Sequence, residues 1–430
     1  MLRLNTRDPG FDKAFRRLVR DRRESDADVA RDVEIILADV RNRGDAAVVE
    51  LTAKFDGHTL GSEDDWRIGA EECREAFDAL RPELRAALEL AAQRIRAYHA
   101  AQKPADRDYV DEAGIRLGAL WRPVDAAGLY VPGGRAAYPS SLLMNAIPAK
   151  VAGVERLAVV TPTPKGAINP LVLAAAHLAG VDEIWRIGGA QAIGALAYGT
   201  QRIAPVDVIT GPGNAWVAEA KRQLFGVVGI DMVAGPSEIL VIADGQNDPE
   251  WIAADLLSQA EHDPASQSIL ITDDPVFADA VADQVGVEIA LLPTARVASA
   301  SWNAHGVIIE VSSLDEAPAL ANALAAEHVE LAVADPEPLF RAIRHAGSIF
   351  LGRHTPEAIG DYIAGPNHVL PTGRRARFSS GLSVLDFMKR TSFIQLDEPA
   401  LRAIGNAAIA LAEAEGLQAH ARSVAVRLGQ

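Results

Sequence analysis

The 430-residue chain contains a single cysteine, Cys73. One thiol cannot close an intramolecular disulfide or build a multi-thiolate zinc cage, so core packing must hold the fold together. Cys73 lies in the polar stretch GAEECREAF, away from every motif below, and is expected to be buried or inert. Long apolar runs are missing as well. No window approaches the roughly 18 uninterrupted apolar residues of a membrane span, and the opening MLRLNTRDPGFDKAF lacks the apolar segment of a secretory signal. A cytoplasmic protein without membrane contact is therefore expected. Positive charge is also scarce: 42 Lys and Arg stand against 58 Asp and Glu, a formal charge of −16, with no basic run. Such a surface repels nucleic acid and anionic membranes while tolerating a cationic substrate.

What is present alternates in texture along the chain. Residues 24–104 carry apolar positions at helical spacing in ESDADVARDVEIILADV, RGDAAVVELTAKF and EECREAFDALRPELRAALELAAQRIRAYHAAQ, and read as a helical arm. From Gly114 to Gly134, strand and turn signals replace them. RLAVVTPT, EIWRIGG and VDVIT then alternate as predicted strands with helices, and a second array runs through EILVIAD, SILITDD, GVIIEV, ELAVAD and SIFLG. Short apolar β-runs separated by helices mark parallel, doubly wound sheets. The fold class is thus α/β with two such units in tandem, and a cleft is expected at the carboxyl ends of their strands. Residues 365–380 read as an ordered functional loop, and the remainder as a helix-rich tail.

Several clusters could carry chemistry. VDVITGPGNAW sets a strand, a Gly-Pro-Gly-Asn turn and a helix in succession, so helix-start amides could receive a phosphate. It lacks the third glycine of the nucleotide-binding fingerprint, since Trp216 stands there, and a purely structural turn would use the same glycines. GGAQAIGALAYG adds a second Gly-rich junction at Gly188 and Gly189. Glu327 and His328, near a predicted helix end in AAEHVEL, pair an imidazole base with a carboxylate able to hold water; solvated helix ends carry the same pair without function. In LLSQAEHDP, Gln259 and His262 share one helical face. GDYIAGPNHVLPT offers Asp361 and His368, and AEGLQAHARS offers Glu415 and His420; drawn from these, one imidazole and one carboxylate could join Gln259 and His262 in a zinc set of two imidazoles, one carboxylate and one amide, or the pair could merely decorate a last turn. His58, His99, His177, His305 and His345 fall in no cluster.

IDMVAGPSEILVIAD followed by LLSQAEH resembles the signature of the histidinol dehydrogenase family. YVPGG, GGAQAIGALAYGT, GPGNAWVAEAKRQ, AAEHVEL, GDYIAGPNHVLPT, FSSGLSVLDFMKR and AEGLQAHARS extend the resemblance from about residue 25 to the tail. It implies zinc- and NAD-dependent oxidation of L-histidinol through L-histidinal to L-histidine, with two NAD reduced. The implied fold has two incomplete Rossmann-like domains, one on the NAD side (111–236) and one carrying the zinc and the catalytic pair (237–380), plus an N-terminal helical segment (1–110) and a helical tail (381–430). That tail would enter the partner's site in a homodimer. Matched position by position, the resemblance implies Gln259, His262, Asp361 and His420 as zinc ligands and Glu327 and His328 as the catalytic pair. Ser237, His368 and Glu415 would complete the substrate site, and Tyr130, Gln191 and Asn214 would contact NAD. A zinc hydrolase using Glu327 as base is the rival in class, but it leaves the two Gly-rich turns without a role.

Overall fold

A computed structural model describes residues 1–20, 27–133, 138–233 and 235–430. The first residues of the first predicted helix (24–26), Gly134 and Ala234 lie outside the described residues. Two six-stranded sheets organise the chain. The first runs, edge to edge, through Arg67–Ile68, Glu183–Trp185, Arg156–Val160, Ala126–Tyr130, Val208–Thr210 and Gly229–Ile230; all pairs are parallel except that of the first edge strand. The second is parallel throughout: Leu2–Asn5, Val307–Glu310, Gln267–Thr272, Glu238–Ala243, His328–Ala332 and Ser348–Leu351. Its strands Gln267–Thr272, Glu238–Ala243 and His328–Ala332 are buried along their whole length, as strands covered by helices on both faces must be, and this is why they read as largely apolar runs.

The predicted helical arm is instead the covering of the first sheet. Ala27–Arg43 and Asp45–Asp56 bury Val33, Leu37, Val40 and Val48 against Val160 and Ile193 on one face. Ala70–Asp78 and Pro82–Ala100 bury Cys73, Leu88 and Ile95 against Leu142 and Leu157 on the other. Helices with one apolar stripe need such a partner surface. Cys73 is buried as expected, and burial pushes its thiol up to about 11.

Two further departures from the expected layout follow from pairings that no local pattern reveals. Leu2–Asn5 is an edge strand of the second sheet, in register with Val307–Glu310, so the first residues belong to that sheet and not to a helical segment. The tail is not purely helical either: Met388–Gln395 is a strand pairing antiparallel with Arg116–Pro123, which in turn pairs with Arg107–Val110. Beyond it, Glu398–Ala414 and Gln418–Ala425 pack on each other and on little else of the chain, leaving Leu411 and Leu417 exposed. Among the described residues no helix is long and apolar enough to cross a membrane.

Candidate active site

The two sheets offer opposite edges to ligands. Tyr130 closes its strand, and the Gly-rich turns at Gly188 and Gly211 follow theirs, so the first sheet presents its carboxyl ends. In the second sheet Ser237, Glu238, Glu327 and His328 all stand at amino ends. The residues expected to contact NAD thus stand at carboxyl ends, whereas Ser237, Glu327 and His328 stand at amino ends, against the expectation of a carboxyl-end cleft in the second sheet. The reason is that Pro249–Ala260 runs back across the sheet and delivers its last turn to the amino edge.

His328 is the centre. The predicted helix over this stretch stops at Leu324, and Ala325 takes a left-handed conformation, so the Glu327–His328 pair enters a strand rather than a helix end. The imidazole is buried, with Nδ1 3.1 Å from the carbonyl of Glu238. A carbonyl can only accept, so Nδ1 carries the proton and Nε2 is left as a bare acceptor. Nε2 has no hydrogen-bond partner among the described residues. It lies 3.6 Å from Glu357 Oε1 and 3.8 Å from Asp361 Oδ1. On the other side, Glu327 Oε2 stands 3.8 Å from Nδ1 and accepts the backbone N–H of Glu238 at 2.9 Å.

Around it, Gln259 sits in the last turn of Pro249–Ala260, buried, with its Oε1 unpartnered among the described residues. His262 follows just past that helix, exposed, close enough to bias the titration of Asp361, His328 and His368. Asp361 rides on the short helix Glu357–Tyr362, which Ser258 ties down by donating to Glu357 Oε2 at 2.9 Å. His368 Nδ1 donates to the Asp361 carbonyl at 3.0 Å, and its Nε2 lies 3.4 Å from Ser141 Oγ. Asn367 beside it donates to the Met144 carbonyl at 2.6 Å. Ser141 and Met144 belong to Pro139–Ala152, so the 365–380 loop links the site to the first sheet's layer.

Electrostatically the site is held short of charge. Burial raises Glu327 well above the usual carboxylate range and pushes Asp361, crowded also by Glu357, up to about 7. Burial lowers His328, and takes His368 down to about 4. Acids driven neutral beside neutral imidazoles form a pocket that a cation would relieve, since a divalent charge favours the ionised carboxylate. Ligand atoms of His328, Glu357 and Asp361 lie within 4.8 Å of one another. The unpartnered Gln259 Oε1 and the Asp361 carboxylate, with His262 nearby, are oxygen and nitrogen donors of the kind zinc accepts. The residues present therefore fit a metal.

Glu415 and His420 are not brought to this cluster. Glu415 caps Glu398–Ala414 and His420 lies in Gln418–Ala425, both on the exposed tail. On the first sheet, Tyr130 is buried with its hydroxyl accepting the Gly189 N–H at 3.2 Å. Asn214 caps the helix Ala215–Leu224 by accepting the Val217 N–H at 3.1 Å. Gln191 is buried with Nε2 unpartnered among the described residues, as is Thr210 Oγ1.

Three acids went unnoticed in the sequence. Glu357 stands four residues before Asp361 on one helical face, a spacing that could have flagged it. Glu330 and the partly buried Asp255 share a side-chain hydrogen bond beside Glu357, and burial raises the pKa of both carboxyls. A carboxylate inside the apolar strand HVELA was the available signal.

Two parallel α/β layers meeting at a buried imidazole ringed by carboxyl and amide donors define an enzyme with a metal-capable centre. A family model for histidinol dehydrogenase matches residues 19–428. The histidinol dehydrogenase of Zymomonas mobilis is 62% identical over 430 residues, covering 100% of both chains. That of Rhodospirillum rubrum is also 62% identical, over 100% of this chain and 99% of its own. The crystal structure of histidinol dehydrogenase from Elizabethkingia anophelis superposes with a TM-score of 0.94 at 37% identity, covering 100% of this chain and 98% of that one. The chain belongs to the histidinol dehydrogenase family, the oxidoreductases of histidine biosynthesis.

Proposed function

We propose that the protein oxidises L-histidinol through L-histidinal to L-histidine, using one zinc ion per subunit and two molecules of NAD. The observation that supports this most is the buried Nε2 of His328, without a hydrogen-bond partner among the described residues and facing Glu357 and Asp361, with the Glu327 carboxyl at the ring's other nitrogen. Gln259, His262 and Asp361 would hold the metal, with His420 of a second copy as fourth ligand. The tail's isolation from its own chain supports that exchange, and Glu415 would come with it to face the substrate's cationic groups. Bound zinc would supply positive charge and open positions for the imidazole and amine nitrogens of histidinol.

The chain's own residues then carry the protons. His328 Nε2 takes the hydroxyl proton, because an alkoxide-like oxygen is what lets hydride leave for NAD. Ser237 and His368 border the substrate. Once the aldehyde forms, Glu327, whose burial disfavours the carboxylate until a nearby positive charge offsets it, would in its ionised form draw a proton from water adding to the aldehyde. The gem-diol has a hydrogen to lose to the second NAD. Tyr130, Gln191 and Asn214 mark the cofactor side.

Metal removal tests the zinc assignment. Chelation should cut NADH formation from L-histidinol by at least about 100-fold, with stoichiometric zinc restoring it. Undiminished turnover by protein shown to be metal-free would refute it.

A further inference from the structure

The helix Ala215–Leu224 buries a lysine that the proposed reaction does not use. Lys221 has a side-chain exposure of 2%, and its partner Asp231, 0%. Their charged groups are in direct contact, and both hold the same residue. Lys221 Nζ donates to the Gly211 carbonyl at 3.0 Å, while Asp231 Oδ2 accepts the Gly211 N–H at 2.8 Å. Asp231 Oδ1 in addition accepts the N–H of Met232 at 2.6 Å.

Gly211 opens the 211–214 turn at the carboxyl end of Val208–Thr210, and its geometry leaves little latitude. Its φ is 110°, and a Cβ there would stand 2.2 Å from the Tyr130 carbonyl oxygen. The far end of the turn is fixed by the Asn214 cap on Val217. The turn is thus pinned at both ends, with Pro212 and Gly213 between at the mouth of the helix. A buried ion pair is a poor source of net stability, because desolvation offsets most of the attraction; an apolar pair of similar volume often does as well. What an apolar pair cannot do is hold both the donor and the acceptor of one backbone residue.

We infer that Lys221 and Asp231 are positioning residues that fix the 211–214 turn so that the amides of Gly213 and Asn214 at the helix start receive the cofactor's pyrophosphate. This rests on the reading of the first sheet as the NAD side. Neither residue touches the reacting atoms; both act through Gly211.

The test uses full-length protein and direct titration with NADH, followed by its fluorescence, beside steady-state kinetics. K221M should weaken NADH binding about tenfold, equivalent to about 1.4 kcal/mol. KM for NAD should rise in parallel while KM for L-histidinol moves less than about twofold. The double variant K221M/D231L removes both charges; it should regain thermal stability relative to K221M yet still bind NADH weakly, and it replaces K221M should that variant fail to fold. Wild-type affinity in either folded variant, or equal rises in both KM values, would overturn the inference. Wild-type protein that binds no NADH would instead overturn the cofactor reading itself.

Discussion

His328→Asn lowers kcat with L-histidinol by at least about 100-fold while the protein keeps its fold and its metal. The expectation follows from the tautomer that the structure imposes. Because Nδ1 is committed to the Glu238 carbonyl, the only basic nitrogen is Nε2. An asparagine in its place keeps a hydrogen-bonding group but has no atom that accepts a proton at neutral pH. The pH profile separates loss of a base from loss of shape. Burial lowers the imidazole's pKa below 6.5, so the neutral, active form persists throughout the neutral range. Wild-type kcat/KM should hold near pH 7 and fall only below pH 6.5, as His328 becomes protonated. The residual rate of the variant should lack that acid limb. Full activity in His328→Asn would remove His328 from the mechanism.

A second large effect comes from the tail. Glu327→Gln and His420→Asn should each be nearly inactive alone, yet their mixture, after subunit exchange, should recover activity. If each tail completes its partner's site, one of the two sites in a mixed dimer has an intact body and an intact tail. Random pairing then restores about a quarter of wild-type activity. If His420 served its own chain, every site in the mixture would keep one defect. The structure motivates the first outcome: Glu398–Ala414 and Gln418–Ala425 lie almost wholly exposed, and His420 stands apart from Gln259 and Asp361. A mixture that stays inactive after exchange has been demonstrated would rule out the swap.

Much of the fold was legible because parallel strands covered on both faces must be continuous apolar runs, and nearly all the inner strands of both sheets announce themselves this way. Leu2–Asn5 was not legible: four residues pair with a strand some three hundred positions away, and nothing local encodes that distance. Met388–Gln395 was missed for a related reason, since its strand is exposed along most of its length and lacks the apolar run that marks buried strands. The site shows the same division. Gln259, His262, Glu327, His328, Asp361 and His368 follow from motifs and the family resemblance those motifs carry; in the fold Glu327 and Asp361 lie within 4 Å of the His328 ring and Asp361 within 4 Å of His368, with His262 close by. Which edge of the second sheet they would share was not readable, because it depends on where Pro249–Ala260 ends relative to the strands. Glu330 and Asp255 escaped because isolated acids in apolar segments carry no spacing rule, even though burial raises both carboxyls.

The central claim, a four-electron oxidation on one site, is tested most directly by counting. Purified protein given zinc, excess NAD and a limiting amount of L-histidinol should form about two NADH for each histidinol consumed, with L-histidine as product. One NADH per histidinol with free L-histidinal accumulating would contradict the role given to Glu327, and no NADH at all would contradict the assignment as a whole.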